Sequence, residues 1–598
     1  MPRAWDVEAD VVVVGFGAAG ACAALEAAAA GCEVVVLDRF GGGGATALSG
    51  GVIYAGGGTR WQRDAGVSDS PEAMFAYLRL EVGDAVSPAT LREFCQGSRD
   101  MLAWLAGHGV PFEGSLCPDK TSYPSNRHYL YYSGSELSAR GVTPPAPRGH
   151  RVRGRGTSGK LLFARLARAV GRSGARVLAQ TTARRLVTDG GGRVIAVECT
   201  TLRGAPAWAR AAHRVLHRWS AKPYLYAPKL GRVLHRPVAW LECRHGRPLL
   251  VGVRRGVILA AGGFVANRQM MREHAPAYRG GLPLATPGDD GSGIRLGMQA
   301  GGATSFLDRV SVWRFLSPPA ALLTGVLVDR DGSRVCDESR YGAAVGEAIV
   351  TRHRGRAWLL ADRETVAEAR RQLRGPALWF QRLQAMYLLT VGRVSAPTVA
   401  GVAARAGINP AGLTATLATY NAAAAGDGRA AAGDGRAAAD DSPAAAGGGP
   451  AVADGGRAAA GGGQAAAGDP AGKPAELVRA QQQPPFSLID CSVRPRLAYP
   501  APMLTLGGLV VAEETGQVRR ADGTVVPGLY AAGRSAVGLC SRSYVSGLSL
   551  ADCVFSGRRA GRHAARPGQE AAGPGQEAAG PGQEAARPGQ EAARPGQE

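Results

Sequence analysis

Gly15-Phe16-Gly17-Ala18-Ala19-Gly20 follows directly on Asp10-Val11-Val12-Val13-Val14, and this spacing is the clearest chemical signal in the chain. Gly15 permits a tight turn, Gly17 lets the backbone approach a pyrophosphate, and Gly20 lets helix and strand pack closely. A helix that starts here offers free amides and a partial positive charge to phosphates. Asp38 stands where an acid accepts from ribose hydroxyls. The elements that must position these residues are also legible. Residues 10–14 form a β-branched run suited to a strand buried on both faces of a parallel sheet. The Ala-rich stretch 21–30 predicts a helix, Gly31 its stop, and 33–37 the second strand, ending at Asp38. Strand, helix, strand and acid in this order predict a dinucleotide site.

The loop after Asp38-Arg39 selects the nucleotide. It runs through four glycines at 41–44 into Ala45-Thr46-Ala47-Leu48-Ser49-Gly50-Gly51-Val52. A nicotinamide domain has no need of such a glycine- and hydroxyl-rich segment, whereas a flavoprotein uses one to follow pyrophosphate and ribityl towards the ring. Near the C-terminus, Val526-Pro527-Gly528-Leu529-Tyr530-Ala531-Ala532-Gly533-Arg534 reads as a last strand and turn returning to the cofactor. Gly547-Leu548-Ser549-Leu550-Ala551-Asp552 reads as a helix start whose amides face the flavin N1–C2=O edge and stabilise the reduced anionic ring. The expected cofactor is FAD.

Longer motifs carry a resemblance. They are Gly44-Ala45-Thr46-Ala47-Leu48-Ser49-Gly50-Gly51-Val52-Ile53-Tyr54, Tyr129-Leu130-Tyr131-Tyr132-Ser133-Gly134, Ala260-Ala261-Gly262-Gly263-Phe264, Gly288-Asp289-Asp290-Gly291-Ser292-Gly293-Ile294 and Tyr544-Val545-Ser546-Gly547-Leu548-Ser549-Leu550-Ala551-Asp552-Cys553. Over roughly 6–202, 248–421 and 469–565 the chain resembles the flavoproteins of the fumarate reductase, succinate dehydrogenase and 3-ketosteroid dehydrogenase family, particularly the 3-keto-5α-steroid 4-dehydrogenase type. The resemblance implies an α/β fold: a Rossmann-like FAD-binding domain of a GR2-type flavoprotein, in two parts over 1–285 and 485–565, with an inserted α+β substrate-capping domain over 286–484. With the motifs above, it implies a cofactor set of Gly15, Gly17, Ala18, Ala19, Gly20, Asp38, Arg39, Thr46, Ala47, Ser49, Gly50, Gly51, Ala183, Ala261, Gly262, Gly533, Arg534, Ser549 and Leu550.

Dicarboxylate enzymes of this family use one arginine to clamp a carboxylate and another as proton donor. Laid on those motifs, the chain has Tyr544 at the clamp and Gly342 at the donor position, with Tyr341 beside it. Arg340 and Arg542 lie close enough in sequence for a small shift to restore a cation. Phenol and glycine cannot grip a carboxylate bidentately. Neutral hydroxyls instead suit a ketone in an apolar pocket, where they polarise oxygen and move a proton without a buried charge. Tyr341, Tyr544 and Ser546 are thus the candidate catalytic group, with base and hydrogen-bond donor unassigned among them, and Tyr131 or Tyr132 as a further pocket residue. The implied reaction is α,β-desaturation of a 3-oxosteroid, with the C4–C5 bond preferred. The alternatives are 1,2-desaturation and a fumarate-reductase-like reaction. The small-molecule partner is a steroid-like ketone, and an electron acceptor of unidentified nature is required.

The remaining sequence bounds the setting. The chain has 598 residues and a formal net charge of +22. Residues 148–255 hold 24 Lys and Arg against three acids, so most of that charge belongs to one stretch. Its polar insertion at 203–247 interleaves bases with aromatics and reads as an Arg-rich solvated loop; peripheral membrane contact is the alternative, and nucleic-acid binding is not expected without a recognised motif. Residues 422–468 are almost wholly Ala, Gly, Asp and Arg, and 566–598 repeat Pro-Gly-Gln-Glu-Ala-Ala, which predicts a flexible linker and a disordered tail. The ten cysteines show no C-x-x-C pair, the histidines show no metal spacing, and no metal is expected. With no apolar run near 20 residues and no signal-peptide core, a cytoplasmic protein is expected.

Overall fold

A computed structural model describes residues 5–118, 120–278, 280–374, 378–426, 469–494 and 499–566. The expected linker lies outside the described residues from 427 onward, as does the tail beyond Arg566; residues 422–425 close the helix Pro410–Ala425.

The β-branched run forms strand Val7–Val14 inside an eight-stranded sheet. It pairs in parallel with Val34–Asp38 on one side and Arg247–Leu259 on the other. Arg176–Ala179 extends the sheet beyond Val34–Asp38, and Val525–Ala531 extends it beyond Arg247–Leu259, both in parallel. Val11, Val12 and Val13 are fully buried, which is why the run lacks polar alternation.

The first helix, Ala18–Ala29, starts earlier than its sequence signal, with Gly17 as its N-cap. Its alanines have a packing reason. A Cβ on Gly557 would lie 2.5 Å from the Ala19 carbonyl oxygen, and one on Gly561 2.4 Å from that of Ala23. Small residues on both partners thus let Ala18–Ala29 and the C-terminal helix Leu548–Ala564 approach backbone to backbone. This contact carries the Gly547 end of the chain to the N-terminal fingerprint.

Beside the large sheet stands a four-stranded antiparallel sheet, in the order Val326–Val328, Trp358–Ala361, Phe486–Asp490, Arg393–Ala396. A three-stranded sheet joins Leu282–Pro283, Pro502–Thr505 and Val310–Val312. Strands Phe486–Asp490 and Pro502–Thr505 lie beyond the boundary expected at 484, so that boundary cuts through this unit. The chain rejoins the large sheet only at Gln517–Arg519.

The basic insertion departs most from expectation. Residues 203–247 are two helices, Ala207–Tyr226 and Pro228–His245, set in the turn between strands Val194–Thr201 and Arg247–Leu259, where Thr201 faces Arg247. The inward residues Ala209, His213, Ser220 and Tyr224 recur at spacings of four, seven and four, a helical period hidden by the charge density. A Cβ on Gly231 would lie 2.3 Å from the Tyr224 Cα, so the absent side chain lets the two helices meet.

Candidate functional site

A cavity of about 530 Å³ opens at the carboxyl ends of the central strands, past Val14, Asp38, Ala260 and Ala532. Its nucleotide end is built mainly from backbone. Gly15 has φ +105°, and a Cβ there would lie 2.5 Å from the Ala260 carbonyl oxygen. Gly17, Ala18 and Ala19 line the cavity beyond it. The Ala18 amide donates to Thr46 Oγ1 at 3.0 Å, which ties the fingerprint to the hydroxyl-rich loop. Asp38 organises both: Oδ2 accepts from Phe16 N at 3.0 Å, and Oδ1 from Phe40 N and Gly42 N at 2.9 Å. Much of its accepting capacity is therefore committed to shaping the loops.

Thr46, Ser49, Gly50, Gly51, Ala183, Ala261, Gly262, Ser549 and Leu550 also line the cavity. Three expected cofactor residues do not. Gly20 is a packing residue, since a Cβ there would lie 1.9 Å from the Gly15 oxygen. Gly533 packs against Ala19 and Cys553 at φ +58°. Ala47 lies outside the lining, next to Gly43.

Two arginines close this end. Arg534 pairs with buried Asp289 at 2.7 Å, and its Nη1 is buried without a partner. A buried unpaired guanidinium nitrogen beside a glycine cradle fits an anionic pyrophosphate. Arg39 lines the wall, but its guanidinium is held by Glu242 of the helical insertion at 2.8–2.9 Å. Phe40 stacks on His217 with ring centroids 3.7 Å apart and planes 4° from parallel. Burial, helped by His235 and His213, lowers the His217 imidazole to about 3, and it lines the cavity as a neutral ring. Phe40, His217, Glu242 and Asp289 were not singled out as site residues from sequence. The four–seven–four period marks the inward face of Ala207–Tyr226 but contains neither His217 nor Glu242.

The other end is built from side chains. Ser546 lies just before the cap of Leu548–Ala564, where Gly547 takes φ +89°. Its hydroxyl is 3.2 Å from the Tyr131 phenol, and its carbonyl accepts from Ser133 Oγ at 3.1 Å. Tyr341 caps the helix Gly342–Thr351 and enters from the smaller unit; its ring centroid is 6.4 Å from that of Tyr544. Trp313 and Phe315 pack edge-on against Tyr544 and Tyr341 respectively. Burial raises the Tyr341 phenol well above its ordinary range, reinforced by Tyr544 and Tyr131 and opposed by a hydrogen bond with Ser546. Burial raises Tyr131 and Tyr544 as well. All three phenols are thus neutral at physiological pH. Tyr341, Tyr544 and Ser546 all line the cavity, while Tyr131 supports Ser546 from behind.

No cation restores a carboxylate clamp here. Arg340 is exposed, and Arg542 pairs with Asp84 at 2.6 Å, away from the cavity. Among the described lining residues the arginines are Arg39, Arg184, Arg295 and Arg534. The first and last are ion-paired, Arg184 donates to Thr200, and Arg295 donates to the Asp290 carbonyl. No group of three metal-ligating side chains occurs among the described residues.

Residues 10–547 match the family described as FAD binding domain. The chain belongs to this flavoprotein family. It is 35% identical over 540 residues to 3-oxo-5-alpha-steroid 4-dehydrogenase of Comamonas testosteroni, covering 88% of this chain and 93% of that one. It is 26% identical over 590 residues to 3-oxosteroid 1-dehydrogenase of Mycobacterium tuberculosis, covering 90% of this chain and 94% of that one. Among solved structures, it superposes on a 3-ketosteroid-delta4-(5alpha)-dehydrogenase of Rhodococcus jostii in complex with 4-androstene-3,17-dione, with a TM-score of 0.73 and 29% identity over 95% of this chain and 98% of that one. The architecture is thus that of an FAD-binding flavoprotein with mixed α/β content. Among the described residues, no helix is long and apolar enough to cross a membrane.

Proposed function

We propose that this flavoprotein dehydrogenates 3-oxosteroids, forming the C4–C5 double bond conjugated to the ketone, as the names of its relatives say of them. The observation that carries this reading is the far end of the cavity. Ser546, Tyr341 and Tyr544 meet there among Trp313, Phe315 and Leu504, while Arg39 and Arg534 are ion-paired at the nucleotide end and Arg184 and Arg295 are hydrogen-bonded to Thr200 and Asp290. Such a slot accepts a bulky carbonyl compound and offers nothing to a diacid.

Desaturation removes the acidic hydrogen at C4 as a proton and the C5 hydrogen as hydride; the electron pair left by the proton forms the new double bond. FAD, when bound, supplies the hydride acceptor at N5. Neutral phenols hold the ketone oxygen by hydrogen bonding, so negative charge arising there is stabilised without a buried cation. Ser546 touches Tyr131, and Tyr341 lines the same cavity; these hydroxyls give a C4 proton a route off the carbon. We assign the smaller unit, over about 286–505, the role of a cap that brings Tyr341 over the substrate. The parts 1–285 and about 506–565 hold the cofactor, and an external electron acceptor completes turnover.

Anaerobic mixing with a 5α-3-oxosteroid should bleach the oxidised flavin band, and the product should absorb as a conjugated enone. An unchanged spectrum with a panel of such ketones, together with rapid reoxidation of reduced flavin by fumarate, would replace this reading with a fumarate-reductase-like one.

A further inference from the structure

The helical insertion has two faces, and the cavity accounts for only one. His213, Ser220 and Tyr224 point inward, and Glu242 on the second helix holds Arg39. On the opposite face of Ala207–Tyr226, Trp208, Val215, Trp219 and Tyr226 follow at spacings of seven, four and seven, all exposed, with Trp219 at 74%. Exposed Arg214 and Arg218 flank this row. The second helix continues the surface with exposed Leu230, Val233, Leu234 and Trp240, beside exposed Arg236 and Arg244. His245 joins the two rows: its ring centroid lies 5.1 Å from that of Trp208 and 6.1 Å from that of Trp240. Arg214, Arg218, Arg236 and Arg244 form no ion pair among the described residues.

A soluble surface has no use for a continuous row of tryptophans and aliphatics. Nor does a nucleic acid: stacking on bases uses aromatic rings, and Val215, Leu230, Val233 and Leu234 offer none. Aromatic belts, aliphatic side chains and unpaired arginines on one face are instead the pattern of helices lying in a membrane interface. Residues 203–247 contain ten Lys and Arg and one acid, Glu242, which faces inward. We propose that this hairpin docks the protein on an anionic phospholipid bilayer, its tryptophans at the headgroup level and its arginines on lipid phosphates. Because its inner face is bonded to Arg39 and stacked on Phe40, docking holds the nucleotide end of the cavity in a set orientation to the membrane. The inference uses the hairpin geometry alone and does not depend on the steroid reading.

The test is vesicle flotation of the full-length, flavin-loaded protein without steroid. It should float with vesicles of equal phosphatidylglycerol and phosphatidylcholine, and far less with phosphatidylcholine alone. At about fivefold per basic residue, R214A/R218A lowers partitioning roughly 30-fold, and added salt weakens what remains. W208S/W219S/W240S lowers it at least tenfold at low salt. Both variants should keep the parent flavin content and steroid turnover in vesicle-free buffer, since none of these residues touches the cavity. The proposal is overturned if anionic vesicles do not float the parent, if neither correctly loaded variant changes flotation, or if duplex DNA binds at the same salt while vesicles stay empty.

Discussion

The two ends of the cavity do opposite work with opposite materials. At the nucleotide end the wall is mostly backbone, and the key residues are those without side chains: Gly15 at φ +105°, and Gly20 against the Gly15 oxygen. At the other end the wall is side chains, and the groups on which the proposed reaction depends are the oxygens of Tyr341, Tyr544 and Ser546. The first end recognises charge that is always present, so amides and one free guanidinium nitrogen suffice. On the proposed reaction the second stabilises charge that arises only during turnover, and burial keeps its phenols neutral at rest. The comparison teaches that adding atoms damages one end, while removing them damages the other.

The largest expected effect follows from adding atoms. Gly15→Val forces a β-branched residue into a left-handed conformation and drives its Cβ onto Ala260, so the purified protein should be colourless. A flavin-to-protein absorbance ratio equal to the parent's would contradict this. Tyr341→Phe removes one oxygen at the other end and should reduce turnover about 10²–10³-fold while flavin content and melting temperature hold. Should the flavin be lost as well, the division between the ends breaks down.

A third variant probes the helix shared by both. Burial raises the Asp552 carboxyl from 3.8 to about 6, opposed by Arg559. The folded protein therefore holds this proton more tightly than the unfolded chain, and the group's contribution to stability falls as pH rises from about 4 to about 6. Asp552→Asn should stabilise the protein by roughly 2–3 kcal/mol at about pH 8 and little at about pH 4. Melting curves at the two pH values check the sign, and equal gains at both would remove the electrostatic explanation. The smallest effect belongs to Arg340→Ala/Arg542→Ala. Both side chains point away from the cavity, so ketone turnover should stay within about twofold, where a substrate clamp would lose several orders of magnitude.

The insertion makes a second instructive contrast. Its inward residues were hard to find because a dense run of arginines drowned the period of Ala209, His213, Ser220 and Tyr224. The Phe40–His217 stack joins residues 177 positions apart, a pairing no local pattern encodes. Tyr131 and Ser546 are likewise separated by 415 residues, so which of Tyr131 and Tyr132 supports the serine depended on how the strand Leu130–Tyr131 is turned.

By itself the sequence determined the nucleotide end. Its turn, helix start and acid are neighbours in the chain, and steric and dipolar rules acting over a few residues are enough to specify them. It also pointed away from a carboxylate clamp, because Tyr544 and Gly342 have the wrong chemistry, but Arg340 and Arg542 left a cation within reach until the structure placed them. Only the tertiary structure decided where the guanidinium groups ended up, which phenol meets Ser546, and that the basic stretch folds into two helices over the cofactor slot. Those outcomes depend on contacts between segments hundreds of residues apart, where burial and partner choice override local preference.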